Sequence, residues 1–247
     1  KILKTWPGRS IHFHWVIDPN DPVEFGILSE MYEKALFIDY AALDSRQQEL
    51  IATLRDSSVH ITNPAGTDLT FTLKEAHFHR GNGQASKEFI SSYARPGSAR
   101  DREVELPAGA IRTVDITNAQ GRLVCTDETF FGRQVGTLTY NFQDGRITSV
   151  ESQHHNEYVQ AVWGIQTGDK DRIGEFNLGV SPGLTLLPDY LKTVPYFGYG
   201  DGAIRLSLGD NQESGGDVIS SYHHWLFLTD ATVQADGKTL LEHGKLA

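Results

Sequence analysis

The sequence is poor in cysteine and lacks long apolar segments, and both absences narrow the classes of protein to which it can belong. Cys125 is the single cysteine among the 247 residues, so an internal disulfide framework is excluded. No stretch is long and apolar enough to span a bilayer, and the first ten residues lack the apolar core of a secretory signal. The sequence therefore predicts no membrane association, and we expect a cytoplasmic location, where structural disulfides are not needed.

Basic side chains are outnumbered by acidic ones, 22 to 32, which gives a formal net charge of −10. Because an acidic protein repels a phosphate backbone, the composition predicts no nucleic-acid partner. Hydrophobic residues make up 39% of the chain and aromatic residues 10%, so it can bury a sizeable core. The 24 glycines and 9 prolines are typical of many turns between short strands.

Apolar periodicity predicts helices early in the chain and strands over most of the rest. Helical spacing covers Pro22 to Phe37 and Gln47 to Leu54, with Asp44-Ser45 as the start of the second helix. Alternation predicts strands over residues 11–17, 57–61, 68–73, 111–114, 122–126, 137–142, 147–150, 172–178, 204–208 and 223–233. This order predicts an α+β fold, largely antiparallel, with one domain over residues 1–247.

Three further features complete the predicted organisation. Short helices are predicted over 159–165 and 184–192. Asp144-Gly145 is a strong two-residue hairpin signal between two of the strands. The polar, turn-rich segment 81–102 is predicted to form a long surface loop.

Six short motifs follow one another along nearly the whole chain. They are Gly66-Thr67-Asp68-Leu69, Leu106-Pro107-Ala108-Gly109, Asp144-Gly145-Arg146-Ile147, Ile173-Gly174-Glu175, Leu206-Ser207-Leu208-Gly209 and His224-Trp225. In this order and spacing they resemble the C-terminal, metal-binding half of the thermophilic aminopeptidase (aminopeptidase T) family. The resemblance implies the fold of that half, a largely antiparallel β-sheet core with a few helices, without the family's N-terminal α/β domain.

In that family two metal ions are bound by two Glu, two His, a Tyr and an Asp, and together they activate a water nucleophile. The resemblance assigns these ligand positions to Ala110, Glu175, Arg205, Gln212, His224 and Leu226. Two of the six, Glu175 and His224, keep a family ligand, which is too few to hold a catalytic zinc. We therefore predict no metal and no cofactor in this pocket, and an ion pair between Arg205 and Glu175 in their place.

The resemblance also implies a function. A peptidase cleft that has lost its metals keeps a groove for an extended peptide, which predicts a non-catalytic peptide-binding protein. The candidate peptide-binding residues are Tyr199, Arg205, Tyr222, His223 and Trp225. Truncated, ligand-poor relatives of this kind are similar to peptide-binding proteins of ribosomal-peptide (crocagin-type) natural-product pathways. The expected partners are a precursor peptide, pathway enzymes and, as the family usually pairs through this half, a second copy of the chain.

Two alternatives stay open. A divergent metal-dependent enzyme, aminopeptidase or mononuclear-iron dioxygenase-like, would use His224 plus unrecognised ligands, and a structural subunit would serve another protein of the pathway. The pairs His12/His14 and His77/His79 share one strand face, a geometry that zinc enzymes use. Neither pair falls on a family ligand position, so we interpret them as ordinary strand histidines. Cys125 is predicted to be a buried structural thiol.

Overall fold

Helices lie mainly in the first part of the chain, and strands dominate the second. The computed structural model describes residues 10–13, 22–95, 100–184 and 198–247. The α-helices in these ranges are α1 (Pro22–Leu36), α2 (Tyr40–Leu54), α3 (Lys87–Tyr93) and α4 (Asn156–Ile165). Short 3-10 helices cover Arg100–Arg102 and Gln212–Ser214. Among the described helices, none combines the length and the apolar character that crossing a bilayer requires.

The strands of the described residues form three sheets. The strands are β1 (Ser10–Phe13), β2 (Ser58–Thr62), β3 (Asp68–Thr72), β4 (His79–Arg80), β5 (Glu103–Leu106), β6 (Ala110–Thr113), β7 (Thr117–Phe130), β8 (Arg133–Gln143), β9 (Arg146–Ser152), β10 (Ile173–Gly179), β11 (Ile204–Gly209), β12 (His223–Leu228), β13 (Thr232–Ala235), β14 (Lys238–Glu242) and β15 (Lys245–Leu246). The large sheet has the order β15-β14-β13-β2-β3-β7-β8-β9, and the small sheet has the order β12-β11-β10-β6-β4. Both are antiparallel, whereas β1 and β5 form a parallel pair. The predicted α+β, largely antiparallel fold is confirmed.

The large and small sheets pack on each other through one hydrophobic core. On β3, Leu69 and Phe71 are at most 1% exposed, while Thr70 between them is partly exposed. The ring of Phe71 lies 5.4 Å from that of Phe176 on β10, measured between centroids. Burying side chains of this size contributes about 1.5–3 kcal/mol each. The core therefore takes one face of the small sheet, and its other face is left for polar side chains.

Helix α2 begins earlier than its sequence pattern predicted. The carboxylate of Asp39 accepts hydrogen bonds from the backbone N–H groups of Ala41 and Ala42, both at 3.0 Å, and so caps the first turn. The predicted start, Asp44-Ser45, lies inside the helix. Leu43 is already buried, so the apolar stripe starts a full turn before the segment on which the prediction was based.

The segment predicted as a long surface loop, 81–102, contains helix α3, so that prediction was wrong. The hydroxyl of Ser86 accepts a hydrogen bond from the backbone N–H of Phe89 at 3.1 Å and starts the helix. Ile90 is 6% exposed and fixes the helix to the body of the protein. A helix of two turns with one buried apolar residue has too few apolar positions to show a helical repeat in the sequence.

The strand predicted over 223–233 is divided between the two sheets. β12 ends at Leu228 in the small sheet, and β13 begins at Thr232 in the large sheet. The burial alternation changes phase between Leu228 and Ala231, where the chain crosses from one sheet to the other. At the crossing, the carbonyl of Ala231 accepts a hydrogen bond from the backbone N–H of Gly244 at 2.9 Å.

The hairpin predicted at Asp144-Gly145 is confirmed. Both residues have positive φ, 52° and 78°, as a tight turn between β8 and β9 requires. Of the strand predicted over 11–17, the structure describes residues up to Phe13. His14 and all but the first residue of the helix predicted over 184–192 lie outside the described residues.

Candidate functional site

The face of the small sheet turned away from the shared core carries a row of buried polar side chains. Glu175 and Asn177 of β10 lie opposite Ser207 and Arg205 of β11, and Asn177 also lies opposite Arg112 of β6. Directly paired residues of an antiparallel sheet point to the same side. Taken as whole residues, all five are at most 4% exposed. We call this surface the polar face.

Arg205 and Glu175 form a buried ion pair on the polar face. The guanidinium of Arg205 donates a short hydrogen bond to one oxygen of Glu175, with side-chain exposures of 3% and 6%. The hydroxyl of Ser214 donates to the other carboxylate oxygen at 2.9 Å. The guanidinium also lies 4.6 Å from the ring centroid of Trp225, close enough for a cation–π contact. The ion pair predicted from the sequence is therefore present.

A second buried ion pair lies beside the first. The guanidinium of Arg112 donates to Glu105, and it also donates to the hydroxyl of Tyr199 at 2.9 Å. The Tyr199 hydroxyl in turn donates to Glu105 at 2.9 Å. Burial lowers the pKa of Arg112, but the charge and hydrogen bond of Glu105, together with Tyr199 and Glu175, raise it by more, so the guanidinium stays charged. The Tyr199 ring lies 5.4 Å from the Arg112 guanidinium and 5.8 Å from that of Arg205, so it joins the two pairs.

The histidines of the His77/His79 pair both approach a buried carboxylate that the sequence did not reveal. Asp101 is 1% exposed, and its two oxygens lie 3.4 Å from His77 Nε2 and 3.4 Å from His79 Nδ1. Burial raises the pKa of Asp101, but hydrogen bonds from His77, His79 and the Arg95 backbone lower it by more. Burial and the charge of Arg112 lower the pKa of His79. Each imidazole lies near a different oxygen of Asp101, so the carboxylate bridges the two histidines.

The six positions that the resemblance assigns to metal ligands do not share one face. Ala110, Glu175 and Arg205 lie on the polar face. On β12, His224 lies opposite Leu208 and Leu226 lies opposite Leu206, both in the row that faces the core. Gln212 lies exposed in a 3-10 helix. The structure therefore brings three of the six positions together.

On β12 the residues that precede His224 and Leu226 are the ones that point to the polar face. Trp225 lies opposite Ser207, and His223 lies opposite Gly209, so both point to the polar face. Burial lowers the pKa of His223, and its electrostatic neighbours include Glu175 and Arg205. A shift of one residue moves a side chain to the other side of a strand, so His223 and His224, although adjacent, face opposite sides of β12.

His224 belongs to a separate cluster between the two sheets. Its Nδ1 lies 3.1 Å from the hydroxyls of both Tyr140 and Tyr222, which are 2.7 Å from each other. Burial lowers the pKa of His224 to about 4. Glu128, whose carboxylate lies 3.9 Å from His224 Nε2, has its pKa raised by burial to about 7. Cys125 is 2% exposed, and burial raises the pKa of its thiol, as expected for a buried structural residue.

The five candidate peptide-binding residues differ in their accessibility. Tyr199 and Tyr222 are at most 2% exposed, so they offer no contact surface. Arg205 is also buried, beneath Trp225. His223 is exposed and Trp225 is partly exposed, with ring centroids 5.6 Å apart in an edge-to-face contact. Accessible contact area at this site therefore comes from the edge strand β12.

The donor set on the polar face does not fit a two-metal centre. Ala110 has no side-chain donor atom, and the indole of Trp225 can only donate a hydrogen bond. Arg205 places a permanent cation on Glu175, the carboxylate that a metal would need. Of the family positions on this face, Glu175 keeps a metal-binding side chain, and the strand register adds His223, which is not a family position.

Sequence reasoning missed Glu105, Arg112 and Asp101. Arg112 follows two residues after Ala110, which was assigned to a ligand position, so its place on the polar face could have been inferred from strand alternation. Its pairing with Glu105, like that of Asp101 with two histidines, joins separate strands and loops. Such contacts leave no local pattern in the sequence.

No protein-family model and no curated protein matches the chain. Seven chains of solved structures are similar to it, and they include the following two. The 2,5-dihydroxypyridine dioxygenase from Pseudomonas putida KT2440 has a TM-score of 0.67 and 18% identity, over 99% of this chain and 73% of that one. Wild-type AmpT from Thermus thermophilus has a TM-score of 0.61 and 18% identity, over 94% of this chain and 62% of that one.

This chain has an aminopeptidase-like fold. The AmpT likeness spans nearly all of the chain, and the dioxygenase has the same architecture. At 18% identity these likenesses concern the fold, so function must be argued from the site.

Proposed function

We propose that the protein is a non-catalytic peptide-binding protein derived from a metallo-aminopeptidase fold, with a precursor peptide of a ribosomal natural-product pathway as its ligand. The observation that carries the proposal is the buried Arg205–Glu175 pair, which occupies the position of two family metal ligands. The precursor-peptide ligand rests on the sequence resemblance to ribosomal-peptide pathway proteins.

Electrostatics oppose a divalent cation at Glu175. Two unit charges about 4 Å apart interact by about 4 kcal/mol at an effective dielectric constant of 20, so a dication beside Arg205 would meet about 8 kcal/mol of repulsion. Four-ligand structural zinc sites bind with about 10–16 kcal/mol in total. By the same estimate the Glu175 carboxylate attracts the dication by about as much, so Arg205 cancels that attraction and one imidazole is left to hold the ion.

The strand β12 offers a binding edge next to this pair. It lies at the end of the small sheet in the described part of the chain, and its six residues extend from His223 to Leu228. An extended peptide can add to such an edge through backbone hydrogen bonds, with side chains providing selection. The side chains of His223, Trp225 and Phe227 alternate along β12 on the polar-face side, and none of the three is fully buried.

The charge of this region favours a basic peptide. The whole chain carries −10, and acidic side chains near His223 include Asp210 and Glu213. A peptide that carries lysine or arginine would be attracted by this field, with an association rate that falls as salt is added. The same edge could pair with a second copy of the chain, which is the competing use of β12.

The test is fluorescence polarisation with labelled candidate precursor peptides, each made in three forms. One form is unmodified, and the other two are N-methylated at alternate residues in opposite registers. Strand addition uses the N–H groups of every second residue, so one methylated form should lose binding and the other should keep it. Equal binding by all three forms would contradict addition to a strand edge.

Matched variants locate the binding site. Trp225→Ala should weaken binding by about 1–3 kcal/mol, the range of an aromatic anchor at an interface. Phe37→Ala removes an 84% exposed aromatic side chain at the end of α1 and should leave affinity unchanged. Native mass spectrometry of the same samples separates a peptide complex from a homodimer or a complex with a pathway enzyme. Turnover of a peptide or a dihydroxylated aromatic ring, rather than binding, would reject the proposal.

A further inference from the structure

A histidine and two glutamates converge beside the second ion pair. His12 lies on β1, and Glu103 and Glu105 lie on β5. The parallel register places Ser10 opposite Glu103 and His12 opposite Glu105, so the three side chains share one side of the strand pair. One ligand atom from each lies within 4.8 Å of the other two, and His12 Nδ1 is 3.3 Å from a Glu103 oxygen.

We propose that His12, Glu103 and Glu105 bind one divalent transition-metal ion, such as zinc or manganese. An imidazole and two carboxylates are donors that both ions accept. Ligand atoms bound to one tetrahedral metal at about 2.1 Å are about 3.4 Å apart. Rotamer adjustment at His12, whose side chain is 49% exposed, can close the present spacing. Because the His12 side chain is exposed, an ion can reach these ligand atoms from solvent.

Glu105 is held in place as metal-binding carboxylates are. Its side chain is 1% exposed and accepts hydrogen bonds from Arg112 and the Tyr199 hydroxyl. A carboxylate has about four lone-pair positions, so it can accept hydrogen bonds and bind a metal at the same time. Outer hydrogen bonds of this kind orient a ligand and are part of a working metal site.

The charge balance favours this cluster over the Glu175 position. Glu103, Glu105 and Arg112 carry a net charge of −1, so a dication brings the group to +1. At the other pair, Glu175 and Arg205 sum to zero, so a dication would bring that group to +2. Cation binding is therefore directed to His12 and the two glutamates, where it would cross-link β1 to β5.

The experiment uses the untagged chain, freed of metal and titrated calorimetrically with zinc and separately with manganese. We expect one equivalent to bind, with an affinity at least about tenfold weaker in His12→Ala and in Glu103→Gln. His60→Ala is the matched control, because His60 lies 2.8 Å from Asp68 in another partly exposed histidine–carboxylate pair on the large sheet. This variant should bind as the parent does.

Cobalt substitution gives a second readout, since the visible absorption of bound Co²⁺ reports its donor atoms directly. Loss of that absorption in His12→Ala and its retention in His60→Ala would support the site. Neither variant removes a buried side chain, so both are expected to fold, which circular dichroism checks. The absence of binding in the parent chain, or equal binding in His12→Ala, would overturn the proposal.

Discussion

Breaking the buried Arg205–Glu175 pair should destabilise the folded protein, and the pair's burial sets the size of the loss. Arg205→Met removes the cation and keeps most of the side-chain volume, which leaves the Glu175 carboxylate charged and 6% exposed. Removing one partner of a buried ion pair costs about 3–5 kcal/mol. At about 2–4 °C for each kcal/mol in a chain of this size, the melting temperature should fall by roughly 6–20 °C.

The double variant Arg205→Met/Glu175→Gln separates the pair from its surroundings. Replacing both charges is close to neutral in other proteins, so the double variant should recover most of the loss, with a coupling of at least about 2 kcal/mol. Urea unfolding of the parent, both single variants and the double variant measures this coupling. Arg146→Met is the control, because this 50% exposed side chain makes surface ion pairs that contribute about 0–1 kcal/mol. Additive losses would refute the reasoning.

Two further predictions concern stability. Burial raises the pKa of Glu128 from about 4.5 in the unfolded chain to about 7, so its contribution to stability is complete below about pH 4.5 and is lost as the pH rises through 7. Glu128→Gln should be neutral near pH 4.5 and stabilise by about 3 kcal/mol at pH 8 in urea unfolding, and a pH-independent difference would contradict this. Gly109→Ala should cost about 2–5 kcal/mol, because φ is 141° and a Cβ would lie 2.3 Å from Ser181. Gly132→Ala, with open space around its Cβ, is the comparison and should cost clearly less in the same assay.

His224 adds an opposing pH dependence to that of Glu128. Burial lowers its pKa from about 6.5 in the unfolded chain to about 4, so its contribution to stability is complete above about pH 6.5 and is lost as the pH falls through 4. The two slopes cancel between about pH 4.5 and 6.5. Removing Glu128 leaves the pH dependence of His224 alone, so Glu128→Gln should lose stability as the pH falls from about 6.5 to 4.5, while the stability of the parent stays level.

Much of the fold could be predicted because local patterns agree with the final structure. Leu69 and Phe71 alternate with threonines, and Asp144-Gly145 supplies the two positive φ values of its hairpin. The predicted boundaries of α2 and the predicted loop over 81–102 were wrong because capping hydrogen bonds, which hydrophobic periodicity does not detect, decide where these helices begin. Asp39 caps α2 through two backbone bonds, and Ser86 caps α3 through one, in segments with weak apolar periodicity.

The site was predicted in part. The Arg205–Glu175 pair followed from one gained cation and one retained carboxylate, and both lie on one face. On β12 the assigned residues, His224 and Leu226, lie on the core-facing side, and the motif alone could not show this because adjacent residues of a strand face opposite sides. Glu105 meets His12 through a pairing of strands about ninety residues apart, and no local feature of the sequence encodes such a contact.

The most direct test of the central claim is the metal content of His12→Ala after equilibration with excess zinc, cobalt or manganese and removal of free ions. In this background the proposed single-metal site is disabled, so the variant should retain no stoichiometric metal and should release no N-terminal amino acid from aminopeptidase substrates. Retention of two equivalents that disappear with Glu175→Gln, together with such release, would contradict the account.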